Sequence, residues 1–158
     1  MPKLNFVLDV DGVLTTGQFL YSTEGKAYKI FGPHDADGLK MLKNKIHISF
    51  ITADQKGFPI SKKRIDDMGF PIALVSEANR YEYIQKNFGL DNVIFMGDGI
   101  FDVPILKNCK FGIAPASARK EAKQAADFVT ESKAGEGAVL DACLKILKHF
   151  FKRNPKNE

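Results

Sequence analysis

Short apolar runs alternate along the chain with amphipathic segments at helical spacing. The apolar runs predict strands at 6–8, 46–51, 72–75, 93–96 and 111–113. The helical spacing predicts helices at 38–42, 60–68, 81–88, 103–106 and 138–151. Because strands and helices alternate, we expect an α/β fold, a doubly wound parallel sheet with helices on both faces. In such sheets ligands bind beyond the carboxyl ends of the strands, so the residues that follow the apolar runs matter most.

The segment at about 17–31 breaks this alternation. Two strand-like runs, 18–22 and 26–30, flank Thr23-Glu24-Gly25, which predicts a β-hairpin. The hairpin is too short to be a domain, so we expect residues 1–151 to form a single domain with no cap domain. Residues 152–158 are expected to be a flexible basic tail.

Composition narrows the class of protein. The chain has 158 residues, of which 44% are hydrophobic and 27% charged, as in ordinary globular domains. The net charge of +4 comes mostly from the C-terminal tail, and without a basic face a nucleic-acid partner is not expected. No apolar run approaches the length of a membrane span, so no membrane partner is expected. The first residues do not have the pattern of a signal peptide. The two cysteines, Cys109 and Cys143, suggest neither a disulfide framework nor a zinc site. We therefore expect a cytoplasmic protein.

Acidic residues follow the first and the fourth predicted strands. Asp9 and Asp11 come after the first strand, and alternate residues of an extended chain face the same side. Asp98 comes directly after the fourth strand. If these two strands are neighbours, three carboxylates converge at one edge of the sheet, and such a set of oxygen ligands suits Mg²⁺. Carboxylates that close stay ionised together only when a cation lies between them.

Further residues of the same edge have both a functional and a purely structural interpretation. The hydroxyl of Thr52 and the backbone N–H of Ala53 can bind phosphate oxygens, although threonine often simply ends a strand. Gly12 allows the chain to turn sharply after Asp11. Asp102 falls on a first helical turn, where the helix dipole alone favours a carboxylate. Asp-x-Asp-Gly also begins calcium loops, but position 20, where such a loop needs glutamate, is leucine.

Taken together, these residues resemble the motifs of the haloacid dehalogenase superfamily of phosphohydrolases. The shared pattern is Asp-x-Asp-Gly-Val after strand one, threonine after strand two, a basic residue on a later helix, and Gly-Asp-x-x-x-Asp after strand four. In this chain the pattern falls on residues 9–13, Thr52, Arg80 and residues 97–102. Over nearly its whole length the chain looks like the capless group typified by 3-deoxy-D-manno-octulosonate 8-phosphate phosphatase, including Gly135-Glu136-Gly137-Ala138-Val139 before the last helix.

The resemblance implies a Mg²⁺-dependent phosphatase that acts through an aspartyl-phosphate on a small metabolite, such as a 3-deoxy-octulosonate 8-phosphate or a nonulosonate 9-phosphate. It implies that Asp9 is the nucleophile and Asp11 the general acid and base, and that Asp9, Asp11 (through its carbonyl) and Asp98 hold the metal. It also implies a homotetramer formed through the hairpin. The remaining implied roles are phosphate binding by Thr52, Ala53 and Arg80, and support by Gly12, Gly97 and Asp102.

The chain also departs from the family pattern. Asp54 stands where the family usually has arginine, and Gly99 replaces a second aspartate. The phosphate-neutralising lysine of the family falls near Glu77, and Arg80, one helical turn further on, is the nearest basic residue. We expect Arg80 to take over its role, since arginine reaches further and contacts phosphate bidentately. The alternative is a solvated surface arginine.

Two other classes of function remain open at this point. One is a non-catalytic oligomerisation or regulatory domain that keeps the phosphatase fold. The other is a phosphoacceptor resembling response regulators, whose acceptor aspartate follows the third strand. This chain has Ser76-Glu77 there, which disfavours the second class.

Overall fold

The computed structural model describes residues 3–152. In chain order the strands are β1 (Asn5–Asp9), β2 (Thr15–Ser22), β3 (Gly25–Phe31), β4 (His47–Thr52), β5 (Ile72–Leu74), β6 (Val93–Met96), β7 (Phe111–Ala114) and β8 (Phe128–Val129). The helices are α1 (Asp35–Leu42), α2 (Phe58–Met68), α3 (Arg80–Phe88), α4 (Val103–Asn108), α5 (Lys120–Ala125) and α6 (Ala138–Phe150). The predicted basic tail, from residue 153 onward, lies outside the described residues.

Six strands form one sheet in the order β5-β4-β1-β6-β7-β8, and every neighbouring pair is parallel. β1, the first strand, lies in the middle, and the chain winds outward from it in both directions. The expected doubly wound α/β sheet is therefore confirmed. Between residues 3 and 152, no helix is long and apolar enough to cross a lipid bilayer.

Alternation along β1 produces a separate core on each face of the sheet. Phe6 and Leu8 point to the face that packs with residues of α1, α2 and α6. Val7, between them, belongs to the opposite core, which includes Ile84 of α3 and Ile105 of α4. Because successive side chains of a strand point to opposite faces, Asp9 follows Val7 to the α3 and α4 side.

Two short elements, α5 and β8, were missed by the sequence pattern. Of the helical residues 120–125 only Ala122 is buried, so the segment carries no apolar stripe for a periodicity argument to detect. β8 contains two residues and is stabilised by parallel pairing with β7 rather than by its own sequence. The other predicted elements are present, and their ends shift by at most three residues.

The predicted hairpin is present as an antiparallel pair, β2 and β3, separate from the main sheet. Phe31 at its end packs on the core, but five of its other apolar side chains are exposed rather than packed on the rest of the domain. Tyr21 is 70% exposed and Tyr28 is 66% exposed, and Phe19, Leu20 and Ile30 are also exposed. The hairpin is the only β-structure between β1 and α1, and no cap domain occurs in the described part of the chain.

A buried carboxylate lies where α1 packs on α6. Asp35 is 1% exposed, and neither of its carboxylate oxygens has a hydrogen-bond partner of good geometry among the described residues. Burial raises the pKa of Asp35 to about 6, while the nearby backbone amides of Leu140 and Val139 partly lower it. Burial, together with the charge of Asp35, also raises the pKa of the Cys143 thiol. An ionised Asp35 is therefore unfavourable in the folded state.

We predict that Asp35→Asn stabilises the protein more at high pH than at low pH. Because the folded-state pKa lies above the unfolded value, the folded protein binds the extra proton, and the wild type loses stability as pH rises from about 4 to about 7. The asparagine variant has no carboxyl group to titrate and does not lose this stability. The difference in unfolding free energy between the variant and the wild type should therefore shift in favour of the variant by about 2 kcal/mol over that range.

Urea denaturation at both ends of the pH range measures this difference. Asp37→Asn is the matched control, since the Asp37 side chain is 68% exposed in the same helix. A stability difference between Asp35→Asn and wild type that is independent of pH would contradict the prediction.

Candidate active site

The carboxyl ends of three neighbouring strands bring the predicted site residues together. β1 lies between β4 and β6, so the first and fourth predicted strands are neighbours, which is the condition for their carboxylates to converge. Asp9 ends β1 and is in register with Ile51, one residue before Thr52 ends β4. Asp98 follows β6 by two residues. All three residues line one cavity of about 380 Å³, together with Asp11, Lys26, Ala53, Asp54, Glu77, Arg80, Gly99, Phe101 and Asp102.

Three carboxylates form the centre of this cavity. Asp9, Asp98 and Asp102 each offer an oxygen, and these oxygens all lie within 4.8 Å of one another. Burial raises the pKa of Asp9 well above its usual value; the guanidinium of Arg80 opposes this rise, and the charges of Asp102 and Asp98 add to it. Burial, followed by the charge of Asp102, raises the pKa of Asp98 to about 6. The cluster therefore favours a proton or a cation in its midst.

Arg80 supplies the fixed positive charge next to these carboxylates. Its Nη1 donates to Oδ1 of Asp102 at 2.6 Å, and its Nη2 lies 3.5 Å from Oδ1 of Asp9. Burial alone would lower the pKa of Arg80, but Asp9 and Asp102 raise it above its usual value. Arg80 is 4% exposed, which excludes the alternative of a solvated surface arginine. Its position as the first residue of α3 directs it to the site, whereas Glu77 lies in a short 3₁₀ turn before the helix.

Asp102 joins Arg80 to the loop that follows β6. Its Oδ2 accepts the backbone N–H groups of Asp98 at 3.1 Å and Gly99 at 3.0 Å, while its Oδ1 accepts from Arg80. A side chain at Gly97 would collide with the Asp102 carboxylate and with Phe95. Asp102 is thus held on both oxygens, and it fixes the loop that carries Asp98.

The turn after Asp11 must be glycine. Gly12 has φ +77°, and a Cβ built there would collide with the Asp98 carboxylate. A larger residue would therefore force β1 and the Asp98 loop apart. On the other side of β1, Thr52 is 1% exposed, and its hydroxyl accepts the backbone N–H of Asp54 at 3.2 Å.

Asp11 is held by a lysine from the hairpin, a contact that no motif predicted. Lys29 Nζ on β3 lies 2.9 Å from the Asp11 carboxylate and 2.9 Å from Oδ2 of Asp54. Lys26, earlier on the same strand, donates to Asp54 at 2.6 Å. These two lysines outweigh the effect of burial and lower the pKa of Asp54 to about 2. The only signal in the sequence was the pair of lysines on a hairpin, together with an aspartate in place of the family arginine.

The donor set fits a divalent hard cation. Carboxylate oxygens are the ligands that Mg²⁺ prefers, and an ion among Asp9, Asp98 and Asp102 would relieve their mutual repulsion. The side chain of Asp11 is not in this group, because it contacts Lys29. Its expected metal contact runs through its backbone carbonyl, which leaves the carboxylate free for this pairing. Asp102, whose oxygens are already hydrogen-bonded, is the least available of the three.

Comparison with known proteins places this site in a family. A model of haloacid dehalogenase-like hydrolases matches residues 72–142. The 3-deoxy-D-manno-octulosonate 8-phosphate phosphatase of Haemophilus influenzae is 30% identical, over 94% of this chain and 85% of that protein. The enzyme of the same name from Escherichia coli K12 is 27% identical, over 89% of this chain and 77% of that protein.

Solved structures agree with the sequence comparisons. The cobalt-bound phosphatase from Haemophilus influenzae has a TM-score of 0.79 and 30% identity, over 91% of this chain and 86% of that one. The Moraxella catarrhalis enzyme, in complex with magnesium, phosphate and a KDO molecule, has a TM-score of 0.81 and 29% identity, over 91% of this chain and 85% of that one. The chain therefore belongs to the haloacid dehalogenase-like hydrolases, in the family of 3-deoxy-D-manno-octulosonate 8-phosphate phosphatases.

Proposed function

We propose that the protein is a Mg²⁺-dependent phosphomonoesterase that uses Asp9 as a covalent nucleophile. The observation that carries the proposal is the placement of Asp9 at the end of β1, inside the cavity, with Arg80 Nη2 3.5 Å from its carboxylate and Asp98 beside it. A bound phosphoryl group brings further negative charge to this point. Positioning and charge stabilisation dominate phosphoryl transfer, and this site provides for both.

In the first step a carboxylate oxygen of Asp9 attacks phosphorus, and the bond from phosphorus to the leaving oxygen breaks. Asp11 gives its proton to that oxygen, so that an alcohol rather than an alkoxide departs. In the second step Asp11 takes a proton from a water molecule, which attacks phosphorus and releases Asp9 and inorganic phosphate. Thr52, the N–H of Ala53 and Arg80 bind the oxygens of the transferring group.

A bound Mg²⁺, held by Asp9, Asp98 and the carbonyl of Asp11, would offset the repulsion between carboxylate and phosphate. Asp102 contributes by fixing Arg80 and the Asp98 loop. Because burial and the neighbouring carboxylates raise the pKa of Asp9, a cation beside Asp9 would favour its ionised, nucleophilic form.

The proposed substrate is a sugar-acid phosphate of the 3-deoxy-octulosonate 8-phosphate or nonulosonate 9-phosphate type. The support is the identity of the relatives named above and a cavity of a size that suits a small metabolite. A non-catalytic domain is disfavoured, because three clustered carboxylates, two of them buried, are costly to keep without a cation. The free thiols of Cys109 and Cys143 support a reducing, cytoplasmic setting.

We also propose a homotetramer formed through the hairpin. Five large apolar side chains of this short segment are 40% exposed or more: Phe19, Leu20, Tyr21, Tyr28 and Ile30. An exposed apolar cluster of this kind marks an interaction surface. A second copy of the hairpin is the proposed occupant, since a capless site needs another element to exclude water.

Asp9→Asn is expected to abolish turnover while the fold is kept, because asparagine matches the volume of aspartate but is not a nucleophile. Turnover of a panel of phosphorylated sugar acids, with Mg²⁺ and with a chelator, measures this and identifies the substrate. Activity of the wild type should vanish with the chelator. Near-normal rates in a folded Asp9→Asn variant, or full activity in the chelator, would rule out the proposed mechanism.

Arg80→Ala should lower turnover by a factor on the order of 10²–10³, the scale for removing one charge contact in the transition state. Arg80→Lys should recover little, because an ammonium cannot contact Asp102 and Asp9 through a planar fork. Arg119→Ala is the control, since the Arg119 side chain is 69% exposed. A wild-type rate in Arg80→Ala would transfer the role of phosphate cation to Lys26, which also lines the cavity.

Replacing Leu20 and Tyr21 by serine should convert the oligomer into monomers, because it removes exposed apolar area without disturbing the core. Light scattering coupled to size-exclusion chromatography measures the mass. Met41→Ser, at a residue 47% exposed outside the hairpin, is the control and should not change the mass. An unchanged mass in the hairpin variant would show that copies associate elsewhere or not at all.

A further inference from the structure

Lys29 is a buried lysine whose three ammonium hydrogens all have acceptors. Its side chain is 1% exposed. Its Nζ donates to Asp11 at 2.9 Å and to Ser61 Oγ at 2.8 Å, and it pairs with Asp54 at 2.9 Å. An ammonium group has three donors, so this set of acceptors saturates it. Lys29 is therefore not available to bind a phosphoryl oxygen, and its function must be exerted through its partners.

The three partners of Lys29 come from different parts of the fold. Lys29 lies on β3 of the hairpin, Asp11 follows β1, Asp54 follows β4 and Ser61 is in α2. Asp54 and Ser61 hold the ammonium group from the side of β4 and α2. The ammonium in turn fixes the Asp11 carboxylate, whose side chain is 37% exposed and would otherwise be free to turn toward solvent.

We propose that Lys29 is a positioning residue that holds Asp11 in the orientation needed to protonate the leaving oxygen. The inference rests on the role of Asp11 as general acid given under Proposed function. Lys29 does not contact the reacting atoms; it acts by limiting the rotamers of Asp11. A displacement on the order of 1 Å in a catalytic group can lower a rate by about 10².

This role makes a prediction that a purely structural role does not. The departure of phenolate is slow unless its oxygen is protonated by a general acid. 4-Nitrophenolate is a stable anion, so its departure depends little on protonation. Loss of Asp11 positioning should therefore slow the cleavage of phenyl phosphate much more than that of 4-nitrophenyl phosphate. A general loss of order in the site, or weaker binding of the phosphate group, should slow the cleavage of both esters by the same factor.

Lys29→Met, which keeps most of the length of the side chain and removes the charge, is expected to lower the single-turnover rate on phenyl phosphate by roughly 10- to 100-fold. The pre-steady-state release of 4-nitrophenolate should fall by only a few fold. Lys26→Met is the matched control: it removes a cation from the same strand that also pairs with Asp54, and it should change both rates equally. Thermal unfolding of each variant tests its fold.

Asp11→Asn separates failure of this inference from failure of the proposed function. If Asp11→Asn itself slows both esters equally, the role of Asp11 as general acid is wrong. If Asp11→Asn is selective and Lys29→Met is not, only the inference about Lys29 is wrong. In the Asp11→Asn background Lys29→Met should add no further selectivity, since the two residues act as one unit.

A second substitution keeps the test decisive if Lys29→Met does not fold. Lys29→Gln has a side chain as long as that of methionine and an amide donor that can still satisfy one carboxylate. The same selective loss on phenyl phosphate is expected, with a smaller factor. Equal losses on the two esters in every folded Lys29 variant would overturn the proposal.

Discussion

The constraint on which this structure depends is the crowding of carboxylates at one edge of a parallel sheet. Asp9, Asp98 and Asp102 come together because β1 and β6 are neighbours that end at the same level. Arg80, whose guanidinium contacts Asp9 and Asp102, offsets part of their mutual repulsion. The same repulsion creates the affinity for a divalent cation that phosphoryl transfer requires. The site therefore depends on an electrostatic strain that the fold imposes.

The sequence predicted the fold where apolar side chains form the strands and helices. β1 and β6 have apolar centres because helices bury both of their faces, and β4 is apolar apart from His47, Ser49 and Thr52, so short apolar runs identify all three. The failures, α5 and β8, have the opposite cause. Helix α5 lies on the surface with one buried alanine, and β8 is defined by its neighbour rather than by its own two residues. A short element that is stabilised by its neighbours has no hydrophobic periodicity of its own in the sequence.

The same distinction separates the predicted site residues from those that were missed. Asp9, Thr52 and Asp98 lie at or within two residues of the carboxyl ends of strands, so their meeting could be inferred once the strands were known. Arg80 was inferred from one helical turn of spacing, and its burial supports that inference. The contact of Lys29 with Asp11 links residues 18 positions apart, through a hairpin that lies outside the sheet. Where a hairpin folds back cannot be read from alternation alone, so this pair was inaccessible to pattern reasoning.

The hairpin therefore connects the outer surface with Asp11, the proposed general acid. Along β3, Lys29 points inward, while its neighbours Tyr28 and Ile30 are exposed on the opposite face, as the period of a strand requires. The inward face is fixed by ion pairs to Asp11 and Asp54. The outward face is apolar and available for contact. Since both faces belong to one strand, an event on the outer face that moves β3 also moves the ammonium group that orients Asp11.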